Sequence, residues 1–228
     1  MKRAVTAELL DTDAGTPAEV ANSLGDLRRI NRWFGGISTT QAMIEHVGDQ
    51  VNQKSFSLLE VAAGSGDVPI LAARRLRARG IELEITLLDR VASHLKGTIA
   101  TNGSSTNRAV VGDAVALPFP DGSFDLVDCG LFTHHLTSEQ VVEFVNEGLR
   151  VCRIAVLIND LIRHPLHLMM VHAGLPLYRS RLTRNDAPAS VRQAYTIKEM
   201  LEMMGKTKAA RTEIDRHYLF RMGVTAWK

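Results

Sequence analysis

The stretch Leu58-Leu-Glu-Val-Ala-Ala-Gly-Ser-Gly-Asp-Val-Pro69 decides how this chain is read. An apolar run breaks into small residues and then restarts as a helix. In open α/β sheets, ligands bind outside the carboxyl ends of the strands. Gly64 and Gly66 let the backbone approach a ligand that any Cβ would obstruct, and Ala62 and Ala63 keep the approach low. The helix that follows offers unpaired N–H groups at its start. A dinucleotide fingerprint requires G-x-G-x-x-G, but Pro69 stands at the third glycine position. Glu60 and Asp67 place two carboxylates around the turn, which suits a ligand with cationic or hydroxyl groups better than a diphosphate.

Outward from this turn, short apolar runs recur at Phe56–Val61, Glu84–Asp89, Ala109–Val111, Phe124–Cys129 and Ile154–Asn159. Their length and β-branched content predict buried parallel strands. Four capping-box spacings mark helix starts: Thr16–Glu19, with Pro17 at the first helical position, Ser38–Gln41, Thr137–Gln140 and Thr196–Glu199. A helix is expected between the second and third strands. Pro118, Pro120 and Gly122 leave no room for one between the third and fourth. The runs 209–215 and 218–226 are too close for a crossover helix, so they must pair antiparallel. The pattern predicts an α/β, doubly wound, seven-stranded, mostly parallel sheet with an antiparallel last strand. Residues 1–15 are expected as a flexible lead-in and 16–228 as one domain. Within it, 16–53 form N-terminal helices and 161–190 a helical cap.

The chain has 228 residues, 45% of them hydrophobic and 23% charged, which excludes low-complexity disorder for its bulk. No stretch of apolar residues is long enough to span a membrane, and the N-terminus has no apolar signal core. Cys129 and Cys152 lack partners at metal spacing and read as reduced thiols, pointing to a cytoplasmic protein. Residues 1–150 carry 14 Lys and Arg against 19 Asp and Glu, and residues 151–228 carry 13 against 6. No polybasic run exceeds two residues, so the basic third reads as a solvated face and not a nucleic-acid surface.

Two further acids follow strand ends. Asp89, at the tip of the second strand and about 20 residues beyond the glycine turn, is placed to accept from ribose hydroxyls. Asp113, after the third strand, is placed to accept from an exocyclic amine or to form an Asx turn.

These residues resemble the class I S-adenosylmethionine-dependent methyltransferases of the small-molecule, ubiquinone-biosynthesis type. The family's acidic-hydrophobic-G-x-G-x-G motif is matched by Glu60-Val-Ala62-x-Gly64-x-Gly66, with Ala62 in place of the first glycine. Asp89 matches the ribose acid, and Asp113 with Ala114 the adenine side. Leu117–Val127 matches L-P-F-x-D-x-S-F-D-x-V, and Cys129–Leu136 the segment beside the cofactor sulfur. The resemblance implies S-adenosylmethionine as cofactor, held by Glu60, Ala62, Ala63, Gly64, Gly66, Asp89, Arg90, Asp113, Ala114 and Cys129. Arg32, near the end of the first helix, is expected to reach the cofactor carboxylate, and Gly35 to end that helix. A further resemblance joins Ile30–Gly36, Asn159–His164 and Ser180–Thr196 to the methyltransferases encoded beside type III polyketide synthases. It implies a phenolic polyketide acceptor.

Methyl transfer from a sulfonium is an in-line displacement in which the protein supplies orientation, desolvation and a base where the nucleophile needs one. A phenol ionises near pH 10, so a histidine is the natural base. His135 is the first candidate, then His164 and His134, all near strand ends where the acceptor must approach. Asp160 beside Asn159 supplies a single acid, which is not a metal site, so no metal is expected. Apolar residues between 161 and 178, with Met169 and Met170, fit a lid over an apolar acceptor. Three other readings are a C-methyltransferase of a quinone-type precursor, a nucleotide-dependent oxidoreductase and a non-catalytic cofactor-binding module. The sequence leaves open the acceptor atom and the oligomeric state.

Overall fold

The computed structural model describes residues 1–10, 15–95 and 108–228. The strands are β1 (Ser55–Val61), β2 (Glu82–Asp89), β3 (Arg108–Val111), β4 (Phe124–Gly130), β5 (Cys152–Leu161), β6 (Arg211–His217) and β7 (Arg221–Trp227). They form one sheet in the order β3-β2-β1-β4-β5-β7-β6. The first five run parallel, and β7 enters antiparallel between β5 and β6. The chain order reverses direction across β1 and β4, which opens a crevice at their carboxyl ends.

The helices are α1 (Pro17–Trp33), α2 (Gly36–Val51), α3 (Asp67–Arg77), α4 (Ser138–Val151), α5 (Pro165–Gly174), α6 (Arg181–Gln193) and α7 (Ile197–Met204). One face of the sheet packs Leu58, Leu126 and Leu157 against Met43, Ile44, Val47 and Leu76 of α2 and α3. The other packs Leu59, Val127 and Ile158 against Val141, Phe144 and Val145 of α4 and Met200 and Met203 of α7. Strands buried on both faces explain the continuous apolar runs. Each fully buried Leu or Phe contributes about 1.5–3 kcal/mol. The helix expected between β2 and β3 falls largely on residues 96–107, outside the described residues.

Three of the four capping boxes form as expected, at Thr16, Thr137 and Thr196. Ser38 does not cap. Gly35, at φ 82°, closes α1 and opens α2 directly, so Ser38 already lies in the first turn and its hydroxyl donates to the Gly35 carbonyl at 3.4 Å. The second strand of the final hairpin starts at Arg221 instead of Tyr218. Leu219 and Phe220 both take positive φ, and that turn takes up the intervening residues.

Residues 1–10, read from sequence as a loose lead-in, lie against α6. The Arg3 guanidinium donates to the carbonyls of Gln193, His134 and Leu136, and Glu8 is buried. Asp26 of α1 accepts from the backbone N–H groups of Arg179 and Ser180 at 2.9 Å each, tying α1 to the start of α6. By contrast, α5 buries none of its side chains, and Met169 and Leu166 stand exposed.

Candidate active site

A cavity of about 520 Å³ opens at the carboxyl ends of β1, β2, β4 and β5, within the roughly 300–1,000 Å³ range of small-molecule sites. Its floor is the turn after β1. Ala62 takes φ 55° and Gly64 φ 51°. Position 62 is therefore one where an L side chain is strained by on the order of 1 kcal/mol, a physical reason for the glycine that the family pattern places there. A Cβ on Gly64 would meet no atom within 4 Å. It would stand in the open cavity, so the missing side chain leaves room for a ligand.

Asp89 organises the turn. Its Oδ2 accepts from the Gly64 N–H at 2.7 Å and its Oδ1 from the Val91 N–H at 2.8 Å. The carboxylate is thereby fixed at the cavity wall with lone pairs to spare for hydroxyl donors. Gly66 shapes the turn as the left-handed cap of α3 but does not line the cavity. Arg90 and Asp113 line it from exposed positions, and Ala114 from a buried one. Asp113 also closes an Asx turn onto the Val115 N–H at 3.1 Å.

Glu60 is buried at the end of β1, in register with Asp128 of β4. Burial pushes both carboxyls well above the usual range, and for Glu60 the Asp128 charge adds to the effect. A proton shared between them removes the repulsion. Glu60 Oε2 lacks a hydrogen-bond donor among the described residues. An orphan acceptor at the cavity is complementary to a ligand ammonium.

Besides Gly66, two expected cofactor residues lie off the cavity. Cys129 is fully buried and off the cavity, because strand alternation turns it into the core while Gly130 faces the ligand side. Burial also pushes its thiol well up. Arg32 is exposed and outside the cavity. The inner stripe of α1 is Leu24, Leu27, Arg28 and Asn31, at helical spacing, which turns residue 32 away. Arg28 instead pairs with Asp67 at 2.9 Å.

The three histidines separate. His134 is buried, its Nδ1 2.7 Å from Asp160 Oδ1 and its Nε2 3.7 Å from Glu8 Oε1. Burial opposes the charged form of each partner in the His134–Asp160 pair, but their mutual attraction outweighs it. With Glu8 contributing, His134 rises to about 10, and Asp160 stays far below the ordinary carboxylate range. His134 is thus an imidazolium at neutral pH and has no lone pair to act as a base. His135 lines the cavity, half-buried. His164 is exposed and outside it, where its Nδ1 accepts from the Leu166 N–H to cap α5 and its ring stacks on Phe220. The histidine of that segment that does reach the cavity is His167, one helical turn on.

One ligand atom each of Glu8, His134 and His135 lies within 4.8 Å of the others. Here the His134 imidazolium already compensates Glu8. Asn159, considered with Asp160 for metal binding, donates instead to the Gly36 carbonyl at 2.7 Å and to Thr40 at 3.0 Å. The sequence reading missed Glu8, Asn31, His167 and Arg221. Asn31 and His167 sat inside segments already singled out, and Arg221 inside the expected last strand, but none of them was named as a site residue.

Residues 58–154 match the family model described as a methyltransferase domain. That match takes in β1 to β4 and α4, the part of the chain that holds the glycine turn and Asp89. A ubiquinone/menaquinone biosynthesis C-methyltransferase of Rickettsia bellii is 35% identical over 80 residues, covering 33% of this chain and 32% of that protein. The Roseobacter denitrificans enzyme of the same name is 34% identical over 117 residues, covering 50% and 43%. The matched part thus spans less than half the length of these relatives. The chain also superposes on the plantazolicin methyltransferase BpumL, solved with an analogue and SAH, with a TM-score of 0.67 at 13% identity over 92% of this chain and 77% of that one. It resembles the magnesium protoporphyrin IX methyltransferase of Synechocystis PCC 6803, solved with SAH, with a TM-score of 0.57 at 13% identity over 85% and 84%. At such identities the likeness shows a shared fold.

Proposed function

We propose that the chain transfers a methyl group from S-adenosylmethionine to a small, apolar, phenolic acceptor. The observation that carries this reading is the Asp89 carboxylate bonded to the Gly64 N–H in a cavity that a Cβ at position 64 would fill. Asp89 is assigned to the ribose hydroxyls, Ala114 and Asp113 to the adenine side, and Glu60 to the methionine ammonium. When bound, the cofactor supplies an electrophilic sulfonium methyl. The protein's part is to orient the acceptor and exclude water around it.

Residues 16–228 are taken as one domain, with α5, α6 and the turn between them covering the acceptor through His167 and Val171, Val191, and Tyr178 respectively. His135 is assigned as the base, and the His134–Asp160 pair holds the turn that carries it. C-methylation of a quinone-type precursor is the second reading, favoured by the matches to the ubiquinone/menaquinone C-methyltransferases. No helix among the described residues is long and apolar enough to cross a membrane. The two buried free cysteines support assignment to a reducing cytoplasm.

Calorimetry with S-adenosylhomocysteine tests the cofactor assignment. Binding in wild type and its loss in Gly64→Val are expected. Absence of binding in folded wild-type protein overturns the reading. Methyl transfer from labelled cofactor to resorcinol-type phenols, with product analysis at oxygen and carbon, separates the two acceptor chemistries.

A further inference from the structure

Arg221, at the start of β7, is sealed inside the protein yet has no carboxylate at ion-pair distance among the described residues. Its Nε donates to the Phe34 carbonyl at 3.1 Å, its Nη1 to Asn159 Oδ1 at 3.3 Å and its Nη2 to Asn31 Oδ1 at 2.8 Å. All three partners are neutral. A guanidinium has five N–H donors, so one remains on each terminal nitrogen. The side chain lines the cavity together with Asn31 and Asn159. Burial brings Arg221 down to about 10, which still leaves it charged at neutral pH. Asp160 is near enough to offset part of this cost by charge, but its carboxylate is bonded to His134, so no carboxylate touches the guanidinium itself. A buried charge with so little direct compensation is costly to maintain, and a ligand carboxylate would supply it.

The register places this charge in a series. Glu60 pairs with Asp128, Gly130 with Asn159, and Leu161 with Arg221. Strand alternation therefore puts Glu60, Asp128, Asn159 and Arg221 on one face at the mouth of the crevice. Acid, acid, amide and guanidinium follow one another across four strands. The acidic end suits an ammonium and the opposite end suits an oxyanion.

We propose that Arg221, positioned by Asn31 and Asn159, is the carboxylate-binding residue of this cavity. Its two remaining N–H groups form the planar fork that matches both oxygens of a carboxylate. The carboxylate has two possible sources: the amino-acid half of the cofactor or an acidic acceptor. The inference rests on the cofactor reading above.

The test compares Arg221→Gln and Arg221→Lys with wild type, each checked for folding by circular dichroism. Calorimetry with S-adenosylhomocysteine is set beside 5′-methylthioadenosine, which lacks the amino-acid half. If the cofactor is the source, Arg221→Gln weakens S-adenosylhomocysteine about 10- to 100-fold and leaves 5′-methylthioadenosine unchanged, with Arg221→Lys in between. If the acceptor is the source, both nucleosides bind as in wild type. Then 2,4-dihydroxybenzoate, titrated onto the S-adenosylhomocysteine complex, loses affinity in the variant while resorcinol does not. Equal losses for ligands with and without a carboxylate, or no loss at all, overturn the proposal. Wild-type protein that binds neither nucleoside overturns the cofactor reading itself, and this inference with it.

Discussion

Asp160 Oδ1 and His134 Nδ1 lie 2.7 Å apart with both side chains sealed from solvent. Asp160 Oδ2 also accepts from the Thr133 hydroxyl and the His134 N–H, so one carboxylate fixes the whole turn after β4. The segment after β4, which lines the cavity, is held by an ion pair that has a pH window.

That window follows from the two shifts. His134, raised to about 10, stabilises the fold fully below its unfolded value near 6.5 and loses that contribution as pH rises through about 10. Asp160, lowered, contributes above roughly pH 4 and loses its contribution as pH falls further. His134→Gln leaves the carboxylate buried without its cation and should cost about 3–5 kcal/mol. Urea midpoints should show the widest gap between wild type and variant from about pH 4 to 6.5, narrowing on either side. A gap constant from pH 3 to 10.5 contradicts the ion pair.

Asp89→Ala removes the acceptor of the Gly64 and Val91 N–H groups as well as the proposed ribose contact. Cofactor affinity should fall by about 1.5–3 kcal/mol, the range for hydrogen bonds to a charged group. Asp89→Asn keeps one carbonyl oxygen and should lose less. Calorimetry reads both, and unchanged affinity in the alanine variant removes the ribose assignment.

Gly64→Val combines a strained backbone with side-chain atoms inside the cavity. Binding of S-adenosylhomocysteine should vanish while the folded baseline in circular dichroism is retained. Wild-type affinity in this variant means that the ligand does not cross the turn.

His135→Ala should lower turnover on a phenol by roughly 10²–10⁴ at neutral pH, with recovery toward the phenol's own pKa near 10. His164→Ala, outside the cavity, should remain within a few-fold of wild type. A pH–rate profile of both variants decides the matter. If His135→Ala is also near wild type, the enzyme works without a base and C-methylation becomes the better account.

The sheet was legible because β1, β2, β4 and β5 are buried on both faces and leave uninterrupted apolar runs. The Gly64 turn and Asp89 were legible because local spacing alone sets their geometry. The acceptor side was not. His164 and His167 are three residues apart, and helix phase alone decides which faces the cavity. The same phase separates Arg32 from Arg28 and Asn31. Cys129 failed on a strand parity that one residue reverses. Arg221 left no sign, since a lone arginine beginning a late strand reads as surface until the sheet order brings it beside Asn159.

That sheet order also has a consequence for biosynthesis. β7 follows every other strand in the chain, yet it pairs on both sides, with β5 and with β6. While the polypeptide leaves the ribosome, the half of the crevice on β1 to β3, with the glycine turn and Asp89, can assemble well before Arg221 emerges. The nascent chain therefore passes through a stage with the glycine turn built and the inner cavity wall missing. If Arg221 holds the cofactor's carboxylate, a cofactor present at that stage meets only part of its partners, and productive capture waits until β7 closes the sheet.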